Sequence, residues 1–553
     1  MADVYKLEDQ NVDVLRFLYV SQSSAKGRAE ALENIQTALD SWLDGYGSPP
    51  NSGGAGILNG LDRRAFIQEL VPDLLRLSLT CPLDEVRNKC KDILTEVKER
   101  GPGVKVPRAL KCGPSRFIPA SEIDPADTTN EDKQMVFIES FLQNNRLENL
   151  HQVMGYHPRY LEAFVKTQNY LLRDDGPLPF PYRHYIALMA AARHQCVYLV
   201  RLHAQEFLLQ GGDAQWLRGL EYAPQKLRNL CEVNNILAHR PWLLNKNHIE
   251  KLTRGNDTWS LSEMMQALII IAHFHSLCSF IMGCGLAPEI DQGGCTTRNA
   301  SSSGDDESED YSSDSSVGGE MNANQVLEED SLESLMQRMK ELTESTHEEE
   351  PTQEELLKRF ELVENQSSEI SVPTKEKTSK KEEVLRFVTN SDFTYNDFAK
   401  RAPGLDIPTF RIQDYSWEDH AFSLANRLYS DIGNLLDDRF NIAFNLTYYT
   451  MGDIRSVDTS AFRQAIWYYI HCMYGIRHDD YDYAQVNQLL ERNLKTYIKT
   501  VCCFPERITK KDYEGVMKGF KHSEKVHVNM MITEARMQAE LLYALRAVNH
   551  YMT

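Results

Sequence analysis

The 553-residue chain holds 11 cysteines but no C-x-x-C pair. That absence argues against a zinc ribbon and against a thioredoxin-type redox couple. Cys502 and Cys503 are adjacent, which suits neither a strain-free disulfide nor a metal site. The start, MADVYKLEDQ, lacks an apolar leader. An odd thiol count without a leader places the expected compartment in the cytoplasm, with the nucleus as a second site. No run of alternating β-branched residues is long enough for a sheet. A P-loop, a dinucleotide glycine fingerprint, a G-x-S-x-G elbow and H-E-x-x-H are all missing, so no cofactor and no metal are expected. Basic charge is short as well. The 60 Lys and Arg face 80 Asp and Glu, a net charge of −20, which excludes a globally basic nucleic-acid binder.

What is present is helical pattern, punctuated by polar linkers. Residues 12–43 carry apolar positions at helical spacing and break at a Gly/Pro/Ser run, 44–56. Residues 61–98 resume the pattern, then run into a Pro-rich connector. Residues 131–290 form a long helical block, and 412–553 a second one. Between them the window 301–350 holds 16 acidic residues against 2 basic ones. Its Gly/Ser/Asp-rich start cannot bury enough apolar surface to fold alone. Leu332, Leu335, Met336, Met339 and Leu342 recur at three- and four-residue steps inside it. They predict an amphipathic helix over 326–345, docked on a partner or on the protein's own body.

The expected architecture is all-α, in four parts. Residues 1–104 are an N-terminal helical extension and 105–290 a first domain. Residues 291–411 are an acidic, partly disordered connector, and 412–553 a second domain. A faint echo links the two domains: Tyr182-Arg183-His184-Tyr185-Ile186 and Phe462-Arg463-Gln464-Ala465-Ile466 each open an apolar helix. Met264 to Leu286 carries no formal charge and is long enough to span a bilayer. Its Gln266, His273, His275, serines and glycines favour a buried core helix instead, started by a Ser260/Glu263 capping box. No membrane span is expected.

Three constellations carry chemistry. Residues 182–208 read as one amphipathic helix with Cys196 at its middle, Tyr198 beside it and His203 two turns on. A peroxidatic thiol needs its thiolate, a donor for the developing oxygen anion and limited access, and these residue types could supply them. A plain buried thiol on a core face is the alternative. In the second block Thr447, Thr450 and Thr459 surround a turn at Gly452-Asp453. Arg463 follows Thr459 by one helical turn, and Glu524 lies near the start of a later helix. An Arg for the carboxylate and a Glu for the ammonium are what a free amino acid requires; a structural salt bridge is the alternative. Asp479, Asp480 and Asp482 lack the glycine bend and distal glutamate of a calcium loop. They read as a helix cap, or, with Tyr481 and Tyr483, as an exposed acid–aromatic docking patch.

Several long runs resemble the sestrin family. They include GPSRFIP (113–119), DGPLPFPYRHYIALMAAARHQCVYLV (175–200), LAHRPWL (237–243) and YGIRHDDYDY (474–483). VNQLLERNLKTYIKTV (486–501), HSEKVHVN (522–529) and EARMQAELLYALRA (534–547) add to them. The resemblance covers roughly 105–553. It implies two domains with the AhpD-like alkylhydroperoxidase fold joined by the connector. It also implies a stress-responsive inhibitor of TOR complex one signalling that binds the second GATOR subcomplex and is released by L-leucine. An alkyl hydroperoxide reductase activity is the alternative the family suggests. By motif, Cys196 would be the peroxidatic thiol, with Tyr198 and His203 as supports. Thr447, Tyr448, Tyr449, Thr450 and Thr459 would close over leucine, Arg463 would hold its carboxylate and Glu524 its ammonium. Asp479 and Asp480 would lie in the GATOR-binding surface. Met517 stands where the family commonly has Trp, and Phe462 where it has Leu.

Overall fold

Where they are described, the apolar stripes noted above do become helices; residues 12–23 and 326–331 of the expected helices lie outside the described residues. The computed structural model describes residues 24–44, 60–100, 104–107, 113–292, 332–344, 351–373, 381–401, 407–446 and 450–553. The principal helices, numbered in chain order, begin with α1 (Ala25–Asp44), α2 (Gly60–Thr80) and α3 (Asp84–Arg100). They continue with α4 (Phe180–Arg193), α5 (Val197–Leu209) and α6 (Leu261–Gly283). The connector supplies α7 (Leu332–Glu344) and α8 (Gln353–Glu369). The second half supplies α9 (Ile432–Asn445), α10 (Ser460–Met473), α11 (Arg492–Cys503) and α12 (His522–Met552). Shorter helices join them. The strands are two-residue pairs: β1 (Phe410–Arg411) with β4 (Ile476–Arg477), and β2 (Thr450–Met451) with β3 (Ile454–Arg455). The protein is mostly helical.

The charge-free stretch is core helix α6. Its most apolar window is wholly buried inside the protein. The Ser260 hydroxyl accepts from Glu263 N (3.2 Å), and the Glu263 carboxylate accepts from Ser260 N (2.8 Å), the reciprocal cap expected. Helix α12 packs along α6. One continuous apolar cluster runs from Ile118 to Val548 and includes both.

The α6–α12 seam is also polar and dry. His275 sits between Glu540 (2.8 Å) and Asn234 (2.9 Å). Arg536 bonds Glu540 (3.0 Å), Ser279 (2.9 Å) and His194 (2.6 Å). Glu534 accepts from both Arg439 and Tyr160. All these charges have partners, as buried charges must.

Two expected continuities are broken. Residues 61–98 form two helices, because Cys81-Pro82 separates α2 from α3. Residues 182–208 are also two helices, a correction to the single helix expected there. Helix α4 ends in a Schellman turn: Gln195 adopts φ +55°, its N–H reaches Ala192 O (2.9 Å), and Cys196 N–H reaches Ala191 O (3.1 Å). A left-handed stop recurs in the second half, with Gly475 N–H reaching Cys472 O (2.9 Å). Helices α4 and α10 are both 14 residues long, and two residues past α10 Gly475 takes the left-handed conformation. The echo between 182–186 and 462–466 therefore extends through a whole helix and its stop.

Helices α1–α3 build a smaller core of their own with Phe141. A buried ion pair docks it on the body, Arg76 Nε lying 3.2 Å from Asp291, whose carboxylate also accepts from Arg146 (3.1 Å). The amphipathic run of the connector forms α7, which docks on the body: Leu335 and Met339 are buried in the main core.

Candidate functional site

The hairpin β2–β3 turns at Gly452-Asp453 and carries the centre of the second-half site. Gly452 has φ +63°, and a β-carbon there would come within 2.5 Å of Gly519 O and 2.9 Å of Leu332, so only glycine fits. Its N–H donates to both Glu524 carboxylate oxygens, at 3.0 and 2.9 Å. Glu524 also accepts from Lys521 N (2.8 Å), capping α12, and from the Thr450 hydroxyl (3.5 Å). One buried carboxylate thus ties the hairpin to the start of α12.

Arg463 lies on the first turn of α10. Its Nε donates to Thr459 Oγ1 (3.1 Å), a terminal nitrogen donates to Phe444 O, and the guanidinium lies 5.9 Å from the Phe444 ring. Burial pushes its pKa down, partly offset by Asp458. Arg463 is 5% exposed and Glu524 8%, yet neither forms an ion pair among the described residues. The salt bridge weighed as the bland reading is not formed there.

The two groups flank one segment. Phe444 O is on Arg463 and Thr450 is on Glu524, six residues apart. An extended six-residue span bounds the separation of these anchors at about 20 Å. Burial pushes the imidazole of His527, one turn after Glu524, down to about 4; its bond to Ala443 O opposes that shift and the Arg463 charge adds to it. Thr447, Tyr448 and Tyr449 lie outside the described residues. Beside the site is a cavity of about 40 Å³, lined by Phe462, Met517, Phe520, Leu332 and Leu335 among others. Its volume suits a few waters and is too small for an amino acid. Leu332 was visible as part of an amphipathic run; its place at this cavity was not.

In the first half, Cys196 is the N-cap of α5 and 1% exposed. The Tyr198 hydroxyl donates to Glu289 (2.5 Å), and His203 meets His184 (3.2 Å) and Phe274. Burial pushes His203 down to about 3, with Arg173 adding to the shift, so its imidazole is neutral. No hydrogen bond joins Cys196 to Tyr198 or His203 among the described residues. Cys278 of α6 is the thiol that meets Cys196, which sequence spacing gave no means to foresee.

The acidic turn differs from the exposed patch considered above. Tyr481 and Tyr483 are buried. Asp479 is buried too, bonded by Arg411 (2.9 and 2.6 Å) and Arg477 (2.6 Å). Asp482 Oδ1 accepts from Ala484 N (2.9 Å), the helix cap. Asp480 alone of these residues is exposed, and Gln413 donates to it. Among the described residues no group of three or more His, Cys, Asp or Glu could hold a metal ion.

The family described as PA26 p53-induced protein (sestrin) matches residues 113–552. The chain belongs to the sestrin family. It is 49% identical over 484 residues to sestrin-1 of Xenopus laevis, covering 87% of this chain and 100% of that one. With sestrin-1 of Macaca fascicularis it shares 52% over 461 residues, 82% of this chain and 93% of the relative. With human sestrin-2 it shares 48% over 485 residues, 85% and 99% respectively. The match to the sestrin family takes in both the Cys196 region and the Arg463–Glu524 site.

Proposed function

We propose that this sestrin is a leucine-gated inhibitor of TOR complex one signalling, acting from the cytoplasm, and also the nucleus, by restraining the second GATOR subcomplex. One observation carries the reading: a buried cation, Arg463, and a buried anion, Glu524, flank one short segment and are not neutralised by each other. A zwitterion answers both needs, its carboxylate on Arg463 and its ammonium on Glu524. Thr447, Tyr448, Tyr449, Thr450 and Thr459 belong to the segments that would close over it, and Phe462 and Met517 offer apolar wall. The halves 105–290 and 412–553 are read as two AhpD-like domains around the connector 291–411, with 1–104 as an extension; the repeated helix and stop of α4 and α10 support that division. Asp480, exposed beside buried Asp479, is the residue of that turn open to the GATOR partner.

Leucine must bind the released form better than the complexed form; that difference sets the switch. Titration calorimetry of Arg463→Ala against wild type, paired with retention of the GATOR partner in the presence of leucine, tests it. The expected result is lost leucine heat and a partner that leucine no longer releases. Leucine heat unchanged in Arg463→Ala removes the pocket assignment.

A second reading, a cysteine-dependent alkyl hydroperoxide reductase, is supported by the position of Cys196. It is the N-cap residue of α5, and its neighbours Gln195 and Val197 are half-buried, so it lies one residue beneath the surface. Loss of cumene hydroperoxide consumption in Cys196→Ser is the expected outcome; an unchanged rate excludes it.

A further inference from the structure

Two buried thiols meet where α4 ends. The Schellman turn brings Cys196 N–H onto Ala191 O at 3.1 Å. From the other side, Cys278 in the middle of α6 directs its Sγ at the same carbonyl, 4.0 Å away. Both cysteines thus converge on one carbonyl oxygen, Ala191 O. Cys196 is 1% exposed and Cys278 is fully buried. Both are reduced here.

We propose that Cys278 is the resolving partner of Cys196, and that a hydroperoxide converts the pair into a reversible intramolecular disulfide. The inference deepens the peroxidatic reading of Cys196 and rests on it. The chain lacks C-x-x-C, and this contact between distant parts of the sequence supplies the second sulfur that motif would have provided.

The positions divide the roles. Cys196 sits at a helix start under a half-buried turn, so an oxidant reaches it first. Cys278 is shielded on every side within α6. Burial, with the Cys196 sulfur beside it, pushes its thiol well above the usual range, so it stays protonated until its neighbour is oxidised. In the first step the Cys196 thiolate attacks a peroxide oxygen. An S–O bond forms and the O–O bond breaks; the alkoxide takes a proton and leaves as the alcohol. Sulfur is oxidised by two electrons and the peroxide is reduced by two. In the second step the Cys278 sulfur attacks the sulfenic sulfur. An S–S bond forms, the S–O bond breaks, and hydroxide leaves with the Cys278 proton as water. Bringing the sulfurs to about 2.05 Å draws the turn toward α6. Gln195, at φ +55°, is the left-handed residue of that turn.

The test uses the reduced full-length protein and cumene hydroperoxide, followed by alkylation of remaining thiols and peptide mapping by mass spectrometry. Fragmentation must separate Cys278 from Cys284. Wild type is expected to yield a dithiothreitol-sensitive Cys196–Cys278 cross-link. In Cys278→Ser, dimedone should label Cys196 several-fold more than in wild type, because the sulfenic acid has lost its resolver. The wild-type map needs no variant to fold and decides by itself. Dimedone-labelled Cys196 in wild type without the cross-link overturns the pair and leaves the peroxidatic thiol standing. Cys196 that is neither labelled nor cross-linked overturns both. A cross-link from Cys196 to another cysteine overturns the assignment of Cys278.

Discussion

Glu524→Gln separates a ligand-binding carboxylate from a helix cap. In the wild type the two carboxylate oxygens accept from Gly452 N at 3.0 and 2.9 Å, and one also accepts from Lys521 N at 2.8 Å. A glutamine keeps one acceptor oxygen and turns an amide N–H₂ toward the other donor. The oxygen that accepts from Lys521 N also accepts from Gly452 N, so an amide lying that way keeps both backbone partners but removes the charge from those bonds and sets its N–H₂ against Gly452 N, at a cost of about 1–2 kcal/mol. Ligand-free stability should fall by that amount in urea denaturation. The ammonium of leucine loses a charge-assisted hydrogen bond worth about 1.5–3 kcal/mol. At about 1.4 kcal/mol per decade, the leucine Kd should rise about 10- to 150-fold in titration calorimetry. The two readouts are independent. A lowered urea midpoint with a leucine Kd within about twofold of wild type would show a cap and nothing more, and the pocket reasoning would fail.

Met517→Trp places a large flat face at the half-buried position beside the proposed ammonium site. A cation–π contribution of about 0.5–2 kcal/mol should tighten leucine binding about 2- to 30-fold by calorimetry; unchanged or weaker affinity refutes it. Glu148 is buried, and burial, then Glu289, push its carboxyl up to about 8. A raised carboxyl pKa favours folding fully below about pH 4.5 and loses that contribution as pH climbs through about 8. Urea midpoints of Glu148→Gln should therefore decline less from pH 5 to pH 8 than those of wild type; equal declines refute the assignment. Gln195→Gly removes the β-carbon from a residue at φ +55° and should raise stability by about 0.5–1 kcal/mol. A lowered denaturation midpoint would count against the strain.

Helix content, the buried nature of α6 and its Ser260/Glu263 cap were legible because they are local: a 3.6-residue period, a capping pair and polar residues where lipid would meet them. The stop between α4 and α5 was not. Arg193-His194-Gln195-Cys196 contains neither glycine nor proline, and its left-handed residue is held by the turn and its packing. Cys81-Pro82, by contrast, carried a boundary signal that periodicity alone passed over. Residue types at Arg463 and Glu524 suggested a zwitterion, yet their common segment emerges only when Phe444 O and the Gly452 hairpin are in place. Tyr481 and Tyr483 looked exposed because alternation with aspartate is polar on paper; each ring turns inward while the intervening carboxylate turns out. Cys278 belongs to a different helix from Cys196, and no one-dimensional spacing encodes that contact.

The seam between α6 and α12 restricts how any signal can travel. Tyr160 reaches across to Glu534, His275 to Glu540, and Arg536 back to Ser279 and His194. Prising the halves apart would break these buried charge-assisted hydrogen bonds together with the apolar packing between α6 and α12. Opening along this seam is therefore a costly response to a small effector. Adjustment costs less in the elements laid over this weld, the β2–β3 hairpin and the docked connector helix.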